Sequence, residues 1–444
     1  MEVIRPGDTR YDQARAVFNM GIDRRPAVIA QCASAADVAD ALCMARDGGL
    51  AVAVRAGGHS VAGFCTNDGG LVIDVRPMKD IVVDPAQRTV TVGAGVTWGE
   101  FDRATQEFGL ATTGGRVSTT GVAGLTLGGG SGWLERSYGL TCDSLRSVDL
   151  VTAAGDRVTA SAAEEPDLFW ALHGGGGNFG VATSFTFDLH PLGPEVLAGL
   201  MLWPGGAGHD LALAYRDFME SAPDALGGAL VFLTGPPEPF VPEHLQGSTV
   251  AAVAVAWAGD VEDGVEAIRP LRDLRPEVDL VGPMPYADFQ CMIDDPPGFR
   301  QYWSGDYHDS LPDDALDVFV KYGFDRPSPL SQQLLAPWGG AVGRVADDAT
   351  PMAHRSARWI THPFATWARP EETEANVAWV RSFREDVARY ANGGVYLNFI
   401  GAEGQDRIRA AFGEQKYARL AEIKRVFDPE NVFRGNQNIE PAPA

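Results

Sequence analysis

Two short stretches of this 444-residue chain carry side chains that could do chemistry. Residues 55–60 read RAGGHS and follow an apolar run from Leu50 to Val54. Glycine takes positive φ without steric cost, so Gly57 and Gly58 let a ligand approach the backbone closely. Successive amide N–H groups in such a turn form an anion nest suited to a pyrophosphate. The His59 imidazole stands beside that nest as a nucleophile. The second stretch is Tyr396, Leu397 and Asn398. Read as part of a strand over 394–399, it turns Tyr396 and Asn398 to the same side. A phenol with a pKa near ~10 needs a neighbouring cation or a depressed pKa to act as a base at neutral pH.

Glycine-rich segments must position these groups. Residues 114–133 read GGRVSTTGVAGLTLGGGSGW. That glycine density predicts neither a stable helix nor a strand. It suits a chain wrapped closely on a large flat ligand, and the interspersed Val122, Leu125, Leu127 and Trp133 argue against a linker. A third tight segment, 174–180, leads into a strand from Val181 to Leu189. Around these, Ser34 with Asp37 predicts a capped helix to about Arg46, ended by Gly48 and Gly49. Strands are expected at 50–54, 70–74 and 89–92, a helix at 97–108, a hairpin from 148–152 to 157–160, and a short helix at 166–172. After Pro191 glycine clusters thin out. Strands at 230–233 and 250–257 alternate there with helices at 260–271 and 371–390, and a helix at 415–427 precedes the tail.

The bulk numbers exclude several classes. With 59 acidic against 36 basic residues the net charge is −23, which argues against a nucleic-acid partner. No apolar run reaches transmembrane length and the start lacks a signal pattern, so a cytoplasmic enzyme is expected. Five cysteines without a CxxC predict neither a disulfide frame nor a zinc site. The eight histidines show no HExxH, and no metal is expected. Gly93, Gly95 and Gly99 miss the dinucleotide spacing, no phosphate-loop motif occurs, and Ser131 misses the hydrolase elbow.

Four motifs occur in order: RAGGHS at 55–60, TGVAGLTLGGGSGW at 120–133, GGGGNFG at 174–180 and DPENVFRGNQNI at 428–439. In these the chain resembles the berberine-bridge-enzyme-like flavoproteins of the vanillyl-alcohol-oxidase superfamily. The resemblance implies an α+β fold. A PCMH-type FAD-binding module would be built from 1–195 and the C-terminal segment 394–444. A substrate domain, 196–393, would be inserted between them on an antiparallel sheet covered by helices.

The same resemblance implies a covalent FAD, attached through a ring nitrogen of His59. Val117 stands where many members carry a second, cysteinyl link, so a single link is expected. FAD contacts are implied for Arg55, Ala56, Gly57, Gly58, His59 and Ser60 in the first motif. In the second region they fall on Gly115, Val117, Ser118, Thr120, Gly121, Val122, Gly124, Leu125, Gly128 and Gly132. Further contacts are Gly180, Val181, Tyr396, Asn398, Asn436 and Asn438. Thr120 occupies the family's oxygen gate, and its small side chain favours an oxidase. Tyr396 with Asn398 is implied as the base or orienting pair. His362 is a further candidate base, on a strand near 359–364 that holds no carboxylate or lysine. Tyr302, Trp303, Tyr307 and Tyr322 are pocket wall or core.

The implied reaction removes a hydride from a carbinol or activated C–H carbon, with O2 as acceptor and H2O2 as product. Natural-product alcohols, sugars and aromatic alkaloid-like compounds all fit such secondary metabolism. Partners are then a small molecule and O2, with no nucleic acid or membrane. Two other readings stay open: an oxygenase working through a flavin-N5-oxygen adduct, and a flavoprotein that binds a ligand without catalysis.

Overall fold

A computed structural model describes residues 1–443 apart from 293, 295 and 296. Its first sheet has the order Glu2–Ile4, Val28–Gln31, Leu71–Asp74, Val52–Arg55, and the last three strands are parallel. Parallel strands need a crossover, which the helix Ala35–Asp47 supplies. Ser34 caps that helix by accepting from the Asp37 amide at 3.2 Å, while Val38, Ala41, Leu42 and Ala45 face inward. The second sheet is antiparallel, in the order Ile81–Asp84, Thr89–Gly93, Val181–Asp188, Leu145–Val151, Arg157–Ser161.

Both small sheets share one core, and the far end of the chain enters it through Phe412, Tyr417, Leu420, Phe433 and Ile439. Lys424 fixes the helix Glu414–Phe427 there. Its fully buried ammonium donates to the Asn178 and Phe433 carbonyls at 3.0 Å and pairs with Asp428 at 3.1 Å. A buried cation survives only when paired and hydrogen-bonded in this way.

The third sheet is antiparallel. Its spine runs Val278–Asp279, Glu195–Pro204, Thr249–Trp257, Leu226–Thr234, Gln332–Pro337, Trp359–Trp367, Arg300–Trp303. Strand side chains alternate between faces. Leu230, Phe232, Val253, Val255 and Ala365 join the helices Gly208–Ser221, Asp313–Phe324 and Thr373–Val387 in a second core. The residues between them face the other way, over the glycine-rich segments.

Three expected elements differ. Residues 122–127, inside the glycine-rich run, form a helix, Val122–Leu127. Glycines 121 and 128 flank this turn rather than interrupt it, and four of its six side chains are buried. Tertiary packing therefore outweighs propensity. The expected helix 260–271 is two pieces, Val261–Ala267 and Arg269–Asp273, because Pro270 lacks the N–H that would continue it. The expected strand 394–399 is a turn: Leu397–Phe399 is a single 3-10 turn, closed by the Phe399 amide donating to the Tyr396 carbonyl at 2.9 Å.

Candidate active site

A cavity of about 460 Å³ lies between the glycine-rich segments and the inner face of the large sheet. The loop 56–60 forms one end of it. Arg55, 1% exposed, is turned away beneath this loop, where its guanidinium bonds Asp74 at 2.7 Å. Arg76 shares the same carboxylate. The buried cluster anchors the strand end from which the loop springs. Beyond it the loop meets the second glycine segment, where a Cβ on Gly57 would stand 2.2 Å from the Gly121 nitrogen. Among the described hydrogen bonds, the amides of Gly57, Gly58 and His59 have no protein acceptor. These donors fit the pyrophosphate of a dinucleotide. Gly124 and Gly177 also line the cavity, and a Cβ on either would meet no atom within 4 Å. The cradle has room for a flat ring system.

His59 stacks on Phe18 with ring centroids 3.9 Å apart. Its Nε2 lies 2.9 Å from the Thr119 hydroxyl and its Nδ1 3.5 Å from that of Thr120. Thr120 lines the cavity, so Nδ1 is the nitrogen on the cavity side. Burial pushes the imidazole pKa down to about 4, leaving it neutral and nucleophilic at pH 7.

The Tyr396 hydroxyl is held by three donors, the amides of Gly130 and Ser131 at 2.8 Å and Asn398 Nδ2 at 3.0 Å. Tyr396 is 1% exposed and does not line the cavity. Burial raises its pKa despite those three donors, so the phenol stays protonated. Gly129 and Gly130 have φ of +109° and +90°, conformations open to glycine, and Tyr396 pins that turn. Asn398 does reach the cavity. It also donates to the Leu125 carbonyl at 3.0 Å, and a Cβ on Gly128 would stand 2.0 Å from its Oδ1.

His362 lies on the strand Trp359–Trp367 with its side chain in the cavity wall. Its Nδ1 is 2.8 Å from the Ser304 carbonyl, which fixes the proton there and leaves Nε2 as an acceptor. Burial brings its pKa down to about 4, and it stacks on Phe399 at 4.0 Å.

Gly115, Val117, Thr120, Gly121, Leu125 and Asn436 also border the cavity. Ser118, Val122, Gly132, Gly180, Val181 and Asn438 stand behind the wall. Gly180, for instance, makes room for Leu150 and the Val151 carbonyl. Trp303 is wall, whereas Tyr307 packs on Trp338 and Tyr322 on Phe383 in the cores; Tyr302 packs against the second core. No local pattern marks Phe18, nor the wall residues Gln332 and Leu334 on the strand Gln332–Pro337. Arg116 was in view within the second glycine-rich stretch. It lines the cavity with its charge already spent on Glu135 at 3.0 Å and on the Ser131 hydroxyl at 2.9 Å. Among the described residues no His, Cys, Asp or Glu cluster could hold a metal ion, and no helix is long and apolar enough to cross a membrane.

A family model described as FAD binding domain matches residues 26–161, and one described as Berberine and berberine like matches residues 395–440. The chain is 31% identical over 454 residues to (R)-6-hydroxynicotine oxidase of Paenarthrobacter nicotinovorans, across 99% of this chain and 96% of that one. It is 30% identical over 452 residues to an uncharacterized FAD-linked oxidoreductase of Bacillus subtilis (strain 168), with the same coverage of 99% and 96%. The crystal structure of 6-hydroxy-D-nicotine oxidase from Arthrobacter nicotinovorans matches with a TM-score of 0.90 at 29% identity, over 99% of this chain and 98% of that one. Xylooligosaccharide oxidase from Myceliophthora thermophila shares the fold, with a TM-score of 0.86 at 24% identity over 100% and 97% of the two chains.

Proposed function

We propose a function from one premise: the chain belongs to the berberine-like FAD-linked oxidoreductases. It is an FAD-linked enzyme that oxidises a small molecule. We assign 1–195 and 394–444 to holding the flavin and 196–393 to selecting the substrate. FAD, when bound, takes a hydride from the substrate carbon and delivers two electrons to O2, giving H2O2.

The observation that carries the covalent assignment is the His59 ring, neutral and stacked on Phe18, with Nδ1 on the cavity side of the glycine cradle. That nitrogen carries the flavin. With Val117 in place of a cysteine, it is the single link. Thr120 beside it leaves a passage for O2. His362 Nε2 takes the hydroxyl or amine proton of the substrate as the hydride departs, since its tautomer is fixed by Ser304. Asn398 orients groups at the wall. Tyr396 acts through the turn it pins, as a positioning residue.

Denaturing electrophoresis with in-gel flavin fluorescence tests the linkage. The wild-type band fluoresces and the His59→Ala band does not; a dark wild-type band refutes the bond. Under ¹⁸O2, stoichiometric H2O2 with unlabelled product supports the oxidase, and label in the product assigns an oxygenase instead.

A further inference from the structure

The inner face of the large sheet is a set of cross-strand rows whose partners are fixed by register. In one row Ala252 faces Val231, Val231 faces Leu334, and Leu334 faces His362. In the next, Gln332 faces Phe364 and Phe364 faces Trp303. Leu200 faces Ala254 in a third. All of these residues line the cavity, and of them only Gln332, His362 and the unpartnered indole N–H of Trp303 are polar. Neither the Gln332 amide nor His362 Nε2 has a partner among the described hydrogen bonds. Gln332 and His362 are diagonal neighbours on adjacent strands, a relation that separates positions by roughly 7–8 Å.

Among the described residues the wall has no free charge: Arg116 is the one charged side chain and is paired with Glu135. A carboxylate or an ammonium entering this space would lose its water without finding a counter-ion, which is strongly unfavourable. A sugar would set hydroxyls against the Leu, Val and Ala side chains of this sheet and leave buried polar groups unpaired, which is unfavourable. Flat apolar surface is served instead, by Trp303 stacked on Phe364 at 4.4 Å and by His362 stacked on Phe399 at 4.0 Å.

We propose that the substrate is an uncharged ring-bearing alcohol or neutral amine with a second polar atom across the ring. His362 Nε2 meets the hydroxyl or amine hydrogen at the carbon that is oxidised, and Gln332 recognises the distant polar atom. The carbon loses a hydride to the flavin and the proton on its oxygen or nitrogen passes to His362, forming C=O or C=N. This rests on the oxidase reading above and adds the substrate class and Gln332 as its specificity residue.

The test uses the holoenzyme, with flavin content measured first by absorbance; a colourless protein defeats the FAD reading and this proposal with it, whereas the outcomes below bear on this proposal alone. Four probes are then titrated anaerobically while the flavin spectrum is followed: 4-hydroxybenzyl alcohol, benzyl alcohol, 4-carboxybenzyl alcohol and cellobiose. We expect 4-hydroxybenzyl alcohol to perturb or bleach the flavin at concentrations about tenfold below benzyl alcohol, the fold-change that one net hydrogen bond supplies. The carboxylate and the disaccharide should trail both. In Gln332→Leu the tenfold preference should collapse to about one. A flavin that responds first to cellobiose or to the carboxylate, or to none of the aromatic alcohols, overturns the proposal. So does a Gln332→Leu enzyme that keeps the preference.

Discussion

Gly57 and Gly121 touch backbone to backbone, so closely that a Cβ on either would lie 2.2–2.3 Å from the other's amide nitrogen. The contact joins the loop bearing His59 to the segment bearing Thr120, and both glycines line the cavity there. Overpacking at a rigid contact costs about 1–3 kcal/mol. Gly121→Ala should therefore lower the melting temperature by several degrees and cut the flavin-to-protein ratio of the purified enzyme, both measurable in one preparation.

Tyr396 offers a way to separate holding from proton transfer. Tyr396→Phe leaves the Gly130 and Ser131 amides without their acceptor, at about 1–3 kcal/mol for each buried group. Lower stability and poorer flavin loading are expected, with the pH profile of kcat unmoved. A base lost outright would cost about 10²–10⁴ in rate and shift that profile.

His362 predicts an acid-tolerant reaction. With its pKa near 4, the acceptor nitrogen remains unprotonated across the range in which an ordinary histidine charges. With an alcohol substrate, which does not titrate in this range, the kcat/KM of the wild type should stay flat from pH 8 to about 5. His362→Phe should lose about 10²–10⁴ in kcat/KM at every pH. A wild-type profile that breaks near 6.5 would contradict the assignment.

Asp102 makes the opposite kind of prediction, on stability. It is fully buried, and burial raises its pKa to about 7 although Gln290 donates to it at 2.7 Å. The unfolded chain ionises this carboxyl near pH 4 and the folded chain holds its proton, so the folded state binds more protons between the two. Stability then falls as pH rises from about 4 to 7. Asp102→Asn, of the same shape and uncharged, should raise the urea midpoint at pH 8 and leave it nearly unchanged at pH 4.

Local signals in the sequence sufficed where one face or one cap decided the element. Ser34 with Asp37 marked a helix start, and the valine-rich run 250–257 marked a strand now seen as Thr249–Trp257. The loop 55–60 was legible because glycine pairs are rare inside apolar strands. Other features were written in long-range contacts. The helix Val122–Leu127 exists because its buried side chains meet a core that no window of sequence contains. The turn at Leu397–Phe399 depends on two amides more than 260 residues earlier in the chain. Gln332 could not be placed, because its position follows from pairing with Phe364 on a different strand.

The shared core of the small sheets has a consequence for synthesis. Ile439 bonds the Asn178 side chain at 3.0 Å, and Gly435, Asn436 and Gln437 form part of the cavity wall. The ribosome makes these residues after every other part of the cavity wall. The cradle therefore stays open on one side while the rest of the wall emerges, and it is enclosed only when this segment closes over it.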